Sequence, residues 1–196
     1  MNYLGHAYLS FGDAAILCGN MMGDHVKGLH ALDAFPEGIK NGLLLHRHID
    51  SFTDSHPAML KAKAFFRPVY GLYSGAVMDT LLDHFLANDI TIFADENVLE
   101  DFAQQVYRQL GAYQQYFPPK FLPYFQSMAQ YNWLANYRSE EGIQRALNGL
   151  FRRAKNIAEI ESAFIIFKEN KNELHTYYAA FIKELINFVK IESGIN

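Results

Sequence analysis

In GLLLHRHIDSFTDSHP, residues 42–57, His46, Asp50 and Asp54 recur at steps of four. On a helix this spacing sets an imidazole and two carboxylates along one face. The neighbours Leu43, Leu44, Leu45, Ile49 and Phe52 are apolar and predict a helix packed inside a domain, where buried charge needs a partner. A metal ion is one such partner. The other reading is a surface helix end on which Asp50 and Asp54 pair with Arg47. Further donors lie in three other segments: His6 in MNYLGHAYLS, Asn20 and Asp24 in GNMMGD, and Asp79, Asp83 and His84 in VMDTLLDHFLA. Each has a structural reading as well. His6 can be a satisfied core histidine and Asp24 a cap, whereas Asp79 and Asp83, set in an apolar run, would each cost several kcal/mol if buried unpaired.

Carboxylates mixed with imidazoles suit a hard-to-borderline divalent ion, Mn²⁺ first, with Mg²⁺ or Fe²⁺ as alternatives. A structural zinc site would call for several cysteines, and the chain has one. An ion held this way acidifies bound water and favours hydrolysis at phosphorus. His84, His6 or a carboxylate that does not ligate would protonate the leaving oxygen.

The elements that must position these groups read as helices. A chain of 196 residues, half of them apolar, can bury a sizeable core, and we expect one domain spanning 1–196. Gly12-Asp13 precedes the helical AAILCGNMMGD, which Gly19 and Gly23 weaken. Pro36 and Pro57 suit the first turns of two further helices, the second carrying Lys61, Lys63 and Arg67. After Pro68 a new helical segment begins. Others are expected around Val98 to Tyr113, from Pro118 to Met128, and in two stretches ending near Ile191. Strict alternation is missing, and Asn41-Gly42 and Asn148-Gly149 fall inside helical patterns, so the class is all-α. The aromatic series from Tyr113 through Trp133 to Tyr137 reads as core, or as the lining of a groove for a flexible acyl or pantetheine-like chain.

The net charge of −4 argues against a general nucleic-acid binder. Cys18 cannot form an internal disulfide and fits a reducing compartment. With neither a signal-like start nor a run of transmembrane length, a cytoplasmic protein without membrane insertion is expected.

The segments MNYLGHAYLS, GNMMGDHVKG, GLLLHRHIDSFTDSHP and VMDTLLDHFLA, in this order, resemble those of bacterial acyl carrier protein phosphodiesterases, and LNGLFRR in the stretch from Trp133 to Lys155 is similar as well. The resemblance implies hydrolysis of the phosphodiester that joins 4′-phosphopantetheine to a serine of holo-acyl carrier protein. It also implies a Mn²⁺-dependent multi-helix bundle related to HD-domain phosphohydrolases. By the same resemblance His6, Asp24, His46, Asp50, Asp79 and Asp83 are the candidate metal ligands, and Asp24, Arg47, Asp83 and His84 the candidate catalytic residues. The fork of Arg47 matches two phosphate oxygens, its other reading being a bridge to Asp50 or Asp54. The chain departs from the wider HD pattern because it has no His-Asp dipeptide, only Asp24-His25 and Asp83-His84, so the ligand order is expected to be rearranged. His25 and His48 are left outside the site.

Carrier proteins are acidic, so a basic docking surface is expected at Lys27, Lys61, Lys63 and Arg67, or at Arg152, Arg153 and Lys155. Two alternatives stand beside this reading. One is a metal phosphohydrolase for nucleotides or other small phosphoesters, and the other a non-enzymatic helical protein that binds metal or a partner.

Overall fold

A computed structural model describes residues 1–153 and 162–193. The α-helices in chain order are α1 Tyr3–Tyr8, α2 Ala14–Met22, α3 Glu37–Ser55, α4 Pro57–Tyr70, α5 Ser74–Ala87 and α6 Glu96–Gly111. They continue with α7 Leu122–Gln130, α8 Trp133–Asn136, α9 Glu140–Arg153, α10 Ser162–Glu169 and α11 Lys171–Ser193. Among the described residues there is no strand, so the all-α expectation holds. None of these helices is long and apolar enough to cross a membrane.

The helix starts follow local chemistry. Asp13 caps α2 by accepting the N–H groups of Ala15 and Ile16, each at 2.9 Å. Pro57 is the first residue of α4, where its missing N–H costs nothing. Pro36 stands one place ahead of α3 rather than inside its first turn. Pro68 does not end α4, which runs on to Tyr70; placed in the last turn, it removes one intrahelical bond without interrupting a long helix. The C-terminal region holds α9, α10 and α11 where two helices were expected. Lys155 and the side chain of Arg153, from the second expected docking patch, lie outside the described residues.

α2 packs along α3 at unusually short range. A Cβ on Gly19 would run into the carbonyl of Ile39, and one on Gly42 into the carbonyl of Ile16. The glycines that weaken α2 as an isolated helix are therefore what lets the two backbones touch. α5 packs between α1, α4 and α9, burying Val77, Met78, Leu81, Leu82 and Leu86, each worth about 1.5–3 kcal/mol as a fully buried apolar side chain. α1 rests on α2 and α5, and α11 covers α3 and α4.

Candidate metal centre

α1, α2 and α3 bring four polar groups to a common point. His6 lies on α1, Asn20 on α2, and His46 and Asp50 one turn apart on α3, with Asn20 fully buried and both imidazoles nearly so. The orientation of the Asn20 amide fixes the rest. Its nitrogen donates to the His6 carbonyl at 2.8 Å and to the Ser10 hydroxyl at 3.1 Å. Its side-chain oxygen is therefore an acceptor, and His6 Nδ1–H donates to it at 2.8 Å. The backbone carbonyl of the same residue accepts His46 Nδ1–H, also at 2.8 Å. With both Nδ1 atoms engaged as donors, both Nε2 atoms turn toward Asp50. This is the outer-shell arrangement that orients metal-binding histidines.

His6 Nε2 lies 3.3 Å from Asp50 Oδ1, and His46 Nε2 lies 3.1 Å from Asp50 Oδ2. His46 Nε2 is nonetheless buried without a well-aligned hydrogen bond. Ligand atoms of His6, His46 and Asp50 all fall within 4.8 Å of one another. Two imidazole nitrogens and a carboxylate, one nitrogen lacking a hydrogen-bond partner, fit a divalent ion. Asp24 stands at the rim, its Oδ1 3.7 Å from His46 Nε2. It is carried by a 3₁₀ turn, Gly23–His25, that crosses over the His46 ring. A Cβ on Gly23 would strike that ring.

The charges are strongly coupled. Burial, reinforced by the neighbouring His46, pushes His6 down to about 4. Burial also opposes charge on His46, yet the facing carboxylates of Asp24 and Asp50 raise it to about 9. Asp50 is partly buried, but both imidazoles and the Met1 ammonium hold its carboxyl far below the usual range. Without metal, His46 is the cation of the cluster and His6 is neutral.

The other sequence-predicted residues sit elsewhere. Asp54 does not share the cluster's face: every step of four overshoots a helical turn by about 40°, and Asp54 points outward to Lys63, 2.6 Å away. Lys63 is thereby a mostly covered partner of Asp54 rather than a free docking cation. Arg47 bridges neither Asp50 nor Asp54; it donates to the carbonyls of Gly28 at 2.9 Å and Val26 at 3.4 Å, holding the segment that follows Asp24. Asp79 accepts the Met1 ammonium at 3.0 Å, and that ammonium lies 3.9 Å from Asp50, so Asp79 borders the cluster at one remove.

Asp83 and His84 are not brought to the cluster. Asp83 is fully buried, and its two oxygens accept backbone N–H groups of Leu4 at 2.7 Å and of Asn2 and Gly5 at 3.1 Å. These are donors that the start of α1 leaves unsatisfied. Burial raises the Asp83 carboxyl to about 7, against the pull of the ammonium and these donors. His84 turns the other way: its Nδ1–H donates to the Tyr137 carbonyl at 2.8 Å and its ring packs edge-on against Phe167. Asp83 anchors the start of α1, which carries His6, whereas His84 ties α5 to Tyr137. Sequence reasoning placed Asn20 near the site but not its hold on both histidines, since an asparagine's backbone carbonyl leaves no sequence signal.

An all-α protein with two histidines and an aspartate converging from α1 and α3 is a helical protein with a candidate divalent-metal centre. The chain belongs to the acyl carrier protein phosphodiesterase family, whose model matches residues 1–185. Curated relatives carry the same name. A protein of Enterobacter sp. is 29% identical over 180 residues, covering 92% of this chain and 89% of its own. One of Klebsiella pneumoniae is 28% identical over 190 residues, covering 97% and 98%, and one of Escherichia coli is 26% identical over 186 residues, covering 95% and 96%. No solved structure matches the chain.

Proposed function

We propose that this protein hydrolyses the phosphodiester between 4′-phosphopantetheine and the serine of holo-acyl carrier protein, releasing the apo protein. The family match and the names of the relatives support the substrate. The observation that carries the chemistry is the pair of Nε2 atoms turned to one carboxylate by Asn20. His6, His46 and Asp50 would hold a divalent ion, Mn²⁺ by preference. When bound, the ion supplies Lewis acidity toward phosphorus and lowers the pKa of water.

The chain's own residues do the rest. Asn20 keeps both imidazoles facing inward. Asp24, whose carboxyl is held in its charged form chiefly by the His46 imidazole that faces it, stands at the rim as a further ligand or as acceptor of the proton that the attacking water gives up. Arg47 holds the segment that follows Asp24. The oxygen of water adds to phosphorus, the bond from phosphorus to the serine oxygen breaks, and that oxygen leaves with a proton. Lys61 and Arg67, exposed on α4, are suited to steer an acidic carrier protein. The chain acts as one helical domain in the cytoplasm, and its relation to HD-domain phosphohydrolases rests on sequence resemblance.

The test is the intact mass of holo-acyl carrier protein after incubation with the metal-stripped protein, then with Mn²⁺ restored. Loss of one phosphopantetheine mass only with metal, and not with Asp50→Ala, is the expected result. No mass change with any divalent ion, from a folded protein that binds metal, would overturn the proposal.

A further inference from the structure

A cavity of about 480 Å³ lies between the start of α1, the α8 segment and α9, within the size range of small-molecule sites. One wall is Asn2 and Tyr3 at the start of α1. Met1, the next residue back, places its ammonium 3.9 Å from Asp50. The chain start thus links the two: Asn2 lines the cavity, and Met1 just before it reaches Asp50 of the cluster.

The opposite wall is α9, which turns Gly142, Arg145, Ala146 and Gly149 to the cavity. These positions are i, i+3, i+4 and i+7, one helical face, and three of the four side chains are no larger than a methyl group. Gly142 has its own reason, since a Cβ there would strike the Asn136 carbonyl. Gly149 has none of that kind: no atom lies within 4 Å of where its Cβ would stand. The floor is aromatic. Trp133 and Tyr3 pack with ring centroids 6.2 Å apart, and Tyr131 and Tyr137 complete it.

This wall is fixed before any ligand arrives. Asn132 adopts a left-handed φ of +46° and donates to Glu100 at 2.7 Å, and the Leu134 N–H donates to the Tyr107 hydroxyl at 3.0 Å, so Trp133 is pinned from both sides. Asn136 gives its amide N–H to the Tyr131 carbonyl at 2.7 Å, which leaves its side-chain oxygen as an acceptor. Arg145 is exposed and supplies a cationic side chain to the lining.

We infer that this cavity receives the pantetheine arm of the substrate while its phosphate lies at the metal cluster. The inference rests on the proposed phosphodiesterase reading and extends it. A bare acyl chain would want an apolar lining throughout, and the cavity instead mixes rings with an amide oxygen and a guanidinium. The arm alternates in the same way: a branched hydrocarbon unit, then two amides, then a thiol. Its amide N–H groups match the Asn136 oxygen, its carbonyls match Arg145, and its hydrocarbon segments match Tyr3 and Trp133.

The experiment is calorimetric titration of free 4′-phosphopantetheine, and separately of inorganic phosphate, into the Mn²⁺-loaded protein and its Gly149→Leu variant. The leucine extends into the cavity from a position with open space. It should weaken phosphopantetheine by about ten-fold or more and leave phosphate and Mn²⁺ affinities unchanged. Should Gly149→Leu fail to fold, Arg145→Ala at its exposed position is the second variant, with a loss of about three-fold or more expected. Equal affinity for phosphopantetheine in wild type and a folded variant, or no binding by wild type, would overturn the inference. The mass assay keeps the two readings apart. Hydrolysis of holo-carrier protein that Gly149→Leu leaves untouched removes the cavity and keeps the activity, whereas variant-sensitive phosphopantetheine binding without hydrolysis keeps the cavity and removes the activity.

Discussion

The rings of His6 and His46 stack with centroids 4.1 Å apart and 18° between their planes. Two imidazoles this close cannot both be charged at little cost, and the structure divides the roles: His6, pushed down to about 4, is neutral above that pH, and His46, raised to about 9, keeps its proton below it.

Metal binding must displace that proton, because an imidazole ligates through a lone pair. Between pH 5 and 8 the metal-free protein holds a proton on His46 and none on His6. The logarithm of the Mn²⁺ affinity should therefore climb with pH at a slope of about one across this window and flatten above about pH 9. Calorimetry in buffers of different ionisation heat would count the released proton, and a pH-independent affinity would contradict the assignment.

Asn20→Ala removes the side-chain acceptor of His6 and both amide donors while keeping the backbone carbonyl that holds His46. Loss of such an outer partner weakens metal affinity by about 10–100-fold. Electron paramagnetic resonance of free Mn²⁺ reads this directly. The effect should exceed that of Asp54→Ala, whose side chain is spent on Lys63 at the surface. A pair whose carboxylate is exposed to solvent is worth about 0–1 kcal/mol, and it lies away from the cluster, so Asp54→Ala should leave Mn²⁺ affinity as it was.

Asp83→Ala should act on stability rather than on the metal. It leaves the backbone donors of Asn2, Leu4 and Gly5 without their acceptor. A loss of about 3 kcal/mol or more is expected. At this chain length that lowers Tm by roughly 6–12 °C. Differential scanning calorimetry with a Mn²⁺ titration at low temperature separates the roles, and an unchanged Tm with lost metal binding would restore Asp83 as a ligand.

Arg47→Ala should loosen the segment from Val26 to Gly28 that follows Asp24. Hydrogen exchange over residues 24–28 should rise, with the fold otherwise unchanged. Faster exchange confined to other segments would show that Arg47 does not hold this turn.

The helical class and most helix positions were legible because apolar spacing, Asp13, Pro36 and Pro57 are local signals. His46 and Asp50 were legible for the same reason, lying one turn apart on α3. Asp83 and His84 looked equivalent in the sequence and were not. What separates them from the cluster is a set of backbone N–H groups nearly eighty positions away and one carbonyl on Tyr137, and backbone atoms are present at every residue. Asp54 misled through geometry, since two steps of four already rotate about 80° around the helix.

The Gly19 and Gly42 crossing sits one turn from the bond between Asn20 and His46. A single methyl group at either glycine would wedge α2 from α3 and move the carbonyl that sets the His46 tautomer. The helix separation thus works as a gauge for the centre, and tolerance to mutation in this protein is set by clearance as much as by chemistry. Two residues with no side chain should prove as unforgiving of replacement as the ligands themselves.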